Sequence, residues 1–88
     1  MATVFIPSLM QKLSDGRTNV EVEGSNVRQI VDNLDALYPG FKERLVEDDR
    51  IKGSISVAID GEITPLGILG KVGETSEVHF LPALGGGA

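Results

Sequence analysis

A chain of 88 residues with 41% apolar content is one small domain, too apolar for disorder and near the lower size limit for a core held by burial alone. It has no cysteine and one histidine, which excludes disulfides, thiol nucleophiles, and thiolate or multi-histidine metal sites. Its net charge of −5 leaves no basic stripe for nucleic acid. The same charge suits either plain solubility or a partner with a positive docking face.

The elements follow in chain order. Residues 3–6 (Thr-Val-Phe-Ile) are β-branched and aromatic and precede Pro7, which predicts a short strand. Gln11 to Gly16 is polar and closes on Ser14-Asp15-Gly16, a turn signal inside a long connection. Thr18 to Glu23 alternates apolar with acidic residues, so it reads as a half-exposed second strand with Glu21 and Glu23 in solvent. Ser25 is the expected N-cap of the main helix, where Val27, Ile30, Val31, Leu34 and Leu37 recur at helical spacing. Pro39-Gly40 ends it, Phe41 to Val46 suggests one more helical turn, and Glu47-Asp48-Asp49-Arg50 reads as a solvated loop. That acidic run lacks the spacing of a calcium loop.

Ile55, Val57 and Ile59 alternate as a third strand, and Asp60-Gly61 is a hairpin turn. Thr64 to Gly73 is irregular, with apolar anchors expected at Leu66, Ile68, Leu69 and Val72. Glu77 to Leu81 is the last strand; it is apolar, has no interior proline and is expected to be central. The order β-β-α-β-(β)-β predicts an α+β domain with one main helix covering a mixed sheet. We place the domain at residues 1–83 and a Gly-rich tail at 84–88. The glycines scattered along the chain match neither a dinucleotide fingerprint nor a phosphate loop, and no Ser-His-Asp motif is present. The chain opens with neither a basic n-region nor a long apolar stretch, and no window is long enough for a membrane span, so the expected location is the cytoplasm.

The tail carries the strongest functional signal. Leu84-Gly85-Gly86-Gly87-Ala88 follows Val78-His79-Phe80-Leu81-Pro82-Ala83 directly. Taken with the element order and the Asp60-Gly61 turn, this ending resembles the ubiquitin-like sulfur carriers of the ThiS, MoaD and CysO type. The resemblance implies a β-grasp fold. It also implies a protein co-substrate with no catalytic residues or bound cofactor of its own. An E1-like adenylyltransferase would use ATP to adenylate the C-terminal glycine, here Gly87. Sulfur would then replace AMP to give a thiocarboxylate, which passes sulfur to a downstream synthase. Cysteine, homocysteine, molybdopterin, thiamin and siderophore routes share this logic.

Gly85 and Gly86 would thread the partner's channel, where a β-carbon would collide with the walls. From Pro82 to Gly87 an extended chain spans roughly 20 Å at about 3.3–3.6 Å per residue. The family's reactive forms stop at Gly-Gly, so Ala88 implies a precursor trimmed by a peptidase, with a JAMM-type zinc metallopeptidase as the candidate. The plain alternatives are a frayed Gly-rich end and a tolerated terminal alanine.

Strand alternation puts Val78 and Phe80 in the core and turns His79 and Leu81 outward beside the tail. Leu81 is therefore a candidate docking residue with Pro82, Ala83 and Leu84, or else a rim contact of the core. His79 reads as a surface strand residue within the same partner-facing segment. Two other functions use the same features: a ubiquitin-like modifier joined to lysines, and a small subunit or adaptor whose tail is incidental.

Overall fold

The computed structural model describes residues 1–82. Strand β1 (Ala2–Phe5) and strand β2 (Asn19–Val22) form an antiparallel pair. Helix α1 (Val27–Leu37) and the short helix α2 (Phe41–Leu45) follow. Strands β3 (Val46–Glu47) and β4 (Arg50–Ile51) make a separate two-stranded ribbon. Strands β5 (Ile55–Ile59), β6 (Glu62–Ile63) and β7 (Glu77–Pro82) complete a five-stranded sheet in the order β2-β1-β7-β5-β6.

The sheet is mixed, as expected. Strand β7 lies at its centre, parallel to β1 and antiparallel to β5. A strand paired on both sides has all its ladder groups satisfied, which explains its continuous apolar character. Register fixes its two faces. Val78 stands opposite Val4 and Ile59, and Phe80 opposite Val57. This face packs on α1 through Val27, Ile30, Val31 and Leu34, and the core continues into Phe41 and Leu45 of α2. Phe41, Leu34 and Ile30 are completely buried. Val78 and Phe80 thus lie where alternation places them.

Four local expectations change. The N-cap of α1 is Asn26, not Ser25: Asn26 has extended backbone and its Oδ1 accepts from Gln29 N at 2.9 Å. Ser25 supports the cap from one position earlier, its N and Oγ both donating to Gln29 Oε1 at 2.8 and 2.9 Å. The connection after β1 is not open loop. Ser8–Ser14 winds into a 3-10 helix, and the fully buried Ser14 donates from Oγ to the Arg17 carbonyl at 2.9 Å.

The run 47–50 is solvated as expected, but it is a hairpin turn and not an irregular loop. Asp48 and Asp49 sit at φ 53° and 62°, the left-handed pair that closes a two-residue turn and that aspartate tolerates. Finally, Ile68 and Val72 are buried anchors, but Leu66 and Leu69 stand in solvent. The 3-10 turn at Gly67–Leu69 points Ile68 inward and leaves Leu69 and the preceding Leu66 exposed. Glycine is required at Gly24, where a β-carbon would lie 2.9 Å from Ile30 Cδ1 and 3.0 Å from the Ile30 nitrogen.

Candidate functional site

Strand β7 delivers whatever follows it to one end of the sheet. Its last ladder partner is Ile55, opposite Pro82, and the Ile55 amide donates to the Lys52 carbonyl at 2.9 Å. Two sides of this exit differ in chemistry.

The outer face carries His79 and Leu81, as alternation predicts. The register puts Phe5 opposite His79 on one side and Ala58 on the other, with Ile63 opposite Ala58. The His79 ring stacks on Phe5 at a centroid distance of 4.2 Å, and its planes are 5° from parallel. Its Nε2 lies 3.8 Å from Glu77 Oε1, too far for a hydrogen bond. Leu81 is 39% exposed and Ile63 58%. With Phe5 and Ala58 they line a band of the outer face across four strands, with the His79 imidazole and Ser56, opposite Leu81, among them. His79 is therefore more than a lone surface residue: it is part of the band. The sequence signal was its two-residue spacing from Leu81 on the same strand, and the Phe5 stack needed the parallel register.

The entry to β7 is held by a residue that turn chemistry alone had assigned. Asp60, at φ 52° in the β5–β6 turn, accepts from Glu77 N through Oδ1 and from Ser76 Oγ through Oδ2, both at 2.9 Å. Its own N–H donates to the Glu77 carbonyl at 2.9 Å. Ser76 Oγ also accepts from Gly73 N at 2.9 Å, so one carboxylate and one hydroxyl fix where the last strand begins. The Glu77 amide, then the Ser76 hydroxyl, hold the Asp60 carboxyl below its ordinary value of 3.8.

The inner side of the exit is a cleft of about 330 Å³, with Met10, Ile55, Phe80 and Leu81 among its walls and Arg44 and Lys52 at its polar positions. Other charged side chains pair away from this end: Arg28 with Asp49 at 3.0 Å and Lys42 with Asp32 at 2.9 Å. The Lys42 ammonium is raised by the Asp32 hydrogen bond, and the Asp49 carboxyl is lowered by the Arg28 hydrogen bond. Among the described residues, no group of three or more His, Asp or Glu side chains is gathered as a metal ligand set. Among the described residues, no helix is long and apolar enough to cross a membrane.

Of the residues singled out from sequence, His79 and Leu81 are thus brought together on the outer face, and Pro82 ends the ladder. Ala83, Leu84, Gly85, Gly86, Gly87 and Ala88 lie outside the described residues.

Comparison with known proteins gives a consistent set of relatives. Residues 5–87 match the ThiS family. The sulfur carrier protein CysO of Mycobacterium tuberculosis is 24% identical over 90 residues, covering 97% of each chain. Among solved structures, a chain of the BexX/CysO complex of Amycolatopsis orientalis superposes with a TM-score of 0.90 at 28% identity, covering 98% of this chain and 99% of that one. The small archaeal modifier protein 1 of Methanosarcina acetivorans has the same fold at a TM-score of 0.79 and 20% identity, covering 97% and 94% of the two chains. These neighbours bear out the β-grasp architecture expected from the element order.

Proposed function

The chain belongs to the ThiS family, and from that premise we propose that it is a sulfur carrier whose working group is the carboxylate of Gly87. The observation that carries this reading is the family match across residues 5–87, which takes in both Gly86 and Gly87. The central position of β7 supports it, because a tail drawn into a partner needs a rigid base.

A carboxylate is resonance-stabilised and anionic, so sulfide does not displace its oxygen unaided. An adenylating partner supplies ATP, and the Gly87 carboxylate attacks the α-phosphorus and releases pyrophosphate. A sulfur nucleophile then displaces AMP at the acyl carbon to leave a thiocarboxylate. This chain's own contribution is positional. The outer-face band of Phe5, His79, Ile63 and Leu81 offers the partner an apolar docking surface. The glycines let the backbone lie in a narrow channel. Ala88 is removed first, by hydrolysis of the Gly87–Ala88 peptide bond. The carrier acts as co-substrate of the enzymes that activate it and take its sulfur.

Intact mass of the protein from its own cells tests the reading. The expected species lacks one alanine and has gained the difference between sulfur and oxygen. A protein that keeps Ala88 in cells making the sulfurated product would overturn the processing step. Lysine-linked adducts without any thiocarboxylate would overturn the carrier reading in favour of a modifier.

A further inference from the structure

Strand β2 is an outer edge of the sheet, with β1 as its one neighbour among the described residues. We propose that this edge and the groove between it and α1 form a second docking surface. Its occupant is an extended segment of a partner protein in which apolar and basic residues alternate, added to the sheet beside β2. The inference goes beyond the proposed function and does not depend on it.

The backbone supplies the first argument. Ile6 N donates to the Thr18 carbonyl at 2.9 Å, and the antiparallel register sets Val4 opposite Val20 and Ala2 opposite Val22. Hydrogen-bonded pairs alternate along such a ladder, so Thr18, Val20 and Val22 bond inward to β1. Asn19 and Glu21 turn their N–H and C=O groups to the free edge, where an added strand takes them up. The Glu23 carbonyl accepts from Asn33 Nδ2 at 2.7 Å, which ties the end of β2 to α1 and holds the groove between them.

Apolar surface is the second. Met1, Ala36 and Leu37 line the groove beside Val22. Leu37, on the periodic face of α1 yet 57% exposed, and Met1, 62% exposed, give it an apolar wall on the helix side. Alternate side chains of an added strand fall on that wall.

The third is charge. Glu21 and Glu23 are the charged side chains lining the groove. Helix α1 ends there at Leu37 with no basic residue in its last turn, so the negative end of its dipole adds to theirs. Lysine or arginine is the complementary group for the remaining side chains of the segment. A second copy of this chain, pairing edge to edge, would bring two acidic strands together, and like charges across a strand pair are unfavourable.

Register separates this surface from the outer-face band. Thr3 stands opposite Glu21 on one side and Glu77 on the other, so the groove is level with the start of β7. Pro82 lies about 17 Å further along that strand at about 3.3–3.4 Å per residue. The groove shares no residue with the band of Phe5, His79, Ile63 and Leu81. One partner can therefore hold the β2 edge while another engages the outer face.

The test titrates the full chain, isotope-labelled for NMR, with an acetylated six-residue peptide of alternating lysine and valine. Docking predicts shifts along β2 and at the Leu37 methyls. It also predicts slowed amide exchange at Asn19 and Glu21, with Val20 and Val22 unaffected because they are already bonded. Glu21→Lys combined with Glu23→Lys should raise the Kd by about tenfold or more, and Leu37→Asn should raise it with no change of charge. These side chains are exposed, so the variants should keep the parent's circular dichroism; Glu21→Gln with Glu23→Gln should act in the same direction if charge reversal disturbs the fold. A peptide with glutamate in place of lysine should not bind. No saturable shift up to about 5 mM peptide, where a millimolar site is mostly filled, would overturn the proposal. Equal binding of the glutamate peptide, shifts centred on His79 and Leu81, or a dimer of the free chain through β2 would also overturn it. No ATP or sulfur source is present, so the result is independent of whether Gly87 is ever adenylated.

Discussion

The imidazole of His79 lies flat on the ring of Phe5, 4.2 Å between centroids, tying the central strand to its parallel neighbour on the face away from the helix. Leu81, two residues further along β7 on the same face, is 39% exposed. A stacked pair of rings beside an exposed leucine is a docking geometry that loses little entropy on binding, because the rings are already held by each other.

Leu81→Asp should therefore weaken activation by the adenylating partner by about tenfold or more, the loss typical of a central interface side chain. Its melting temperature should stay close to that of the parent, because Leu81 is outside the core. Steady-state adenylation at varied carrier concentration checks it. An unchanged KM for the carrier would place docking elsewhere.

Gly86→Val should abolish adenylation while leaving the fold intact, since a branched β-carbon cannot follow the backbone into a narrow channel. Circular dichroism and pyrophosphate release measured on the same sample separate the two effects. A valine variant adenylated at the parent rate would rule out the threaded tail.

Asp60→Asn should destabilise the domain in a pH-dependent way. The native Asp60 carboxyl is held below 3.8, so the unfolded state binds the more protons in this range. Its contribution is full above 3.8 and is lost as pH falls through the lower native value. The gap in urea midpoint between parent and variant should accordingly be widest near neutrality and close in strong acid. A gap that is constant down to pH 2, on the order of two units below the ordinary carboxylate value, would count against the carboxylate as its source.

Asn26→Ala should cost about 1 kcal/mol, the usual loss for an N-cap that accepts from the N3 amide. Ser25→Ala should cost less, because Ser25 N still donates to Gln29 Oε1 when its hydroxyl is gone. Paired urea titrations decide it. A larger effect at Ser25 would return the cap to that residue.

Phe41→Ala should cost about 3–5 kcal/mol, since this ring is fully buried between the two helices and the sheet and leaves a cavity that a rigid surround cannot close. Chemical denaturation with a constant m-value is the measurement. A loss below about 1 kcal/mol would mean that the core collapses around the gap.

The large features of the fold could be read from the sequence because they rest on periodicity. Val27, Ile30, Val31 and Leu34 repeat at one buried helical face, though Leu37, expected with them, is exposed, and Val78 and Phe80 alternate against His79 and Leu81. What escaped depends on contacts distant in sequence or on local backbone choices with near-equal alternatives. Ser25 and Asn26 are both good caps, and only the first helical turn, beginning at Val27, selects between them. Asp48-Asp49 lacks the glycine that usually marks a two-residue hairpin, so its left-handed pair was hidden. The Asp60 clamp joins residues 16 and 17 positions apart, and the stack of His79 on Phe5 exists only because β1 and β7 are parallel neighbours. Leu66 and Leu69 were misplaced for a different reason: apolar character predicts burial only when an element turns it inward.

The parallel pairing of β1 with β7 also sets how the protein bears load. Tension between the start of β1 and the end of β7 acts along both strands in opposite senses, so the bridging hydrogen bonds are strained together in shear instead of being peeled one by one. Pulling single molecules from these two ends should give one high-force rupture, whereas pulling from β6 at the sheet edge should unzip at low force.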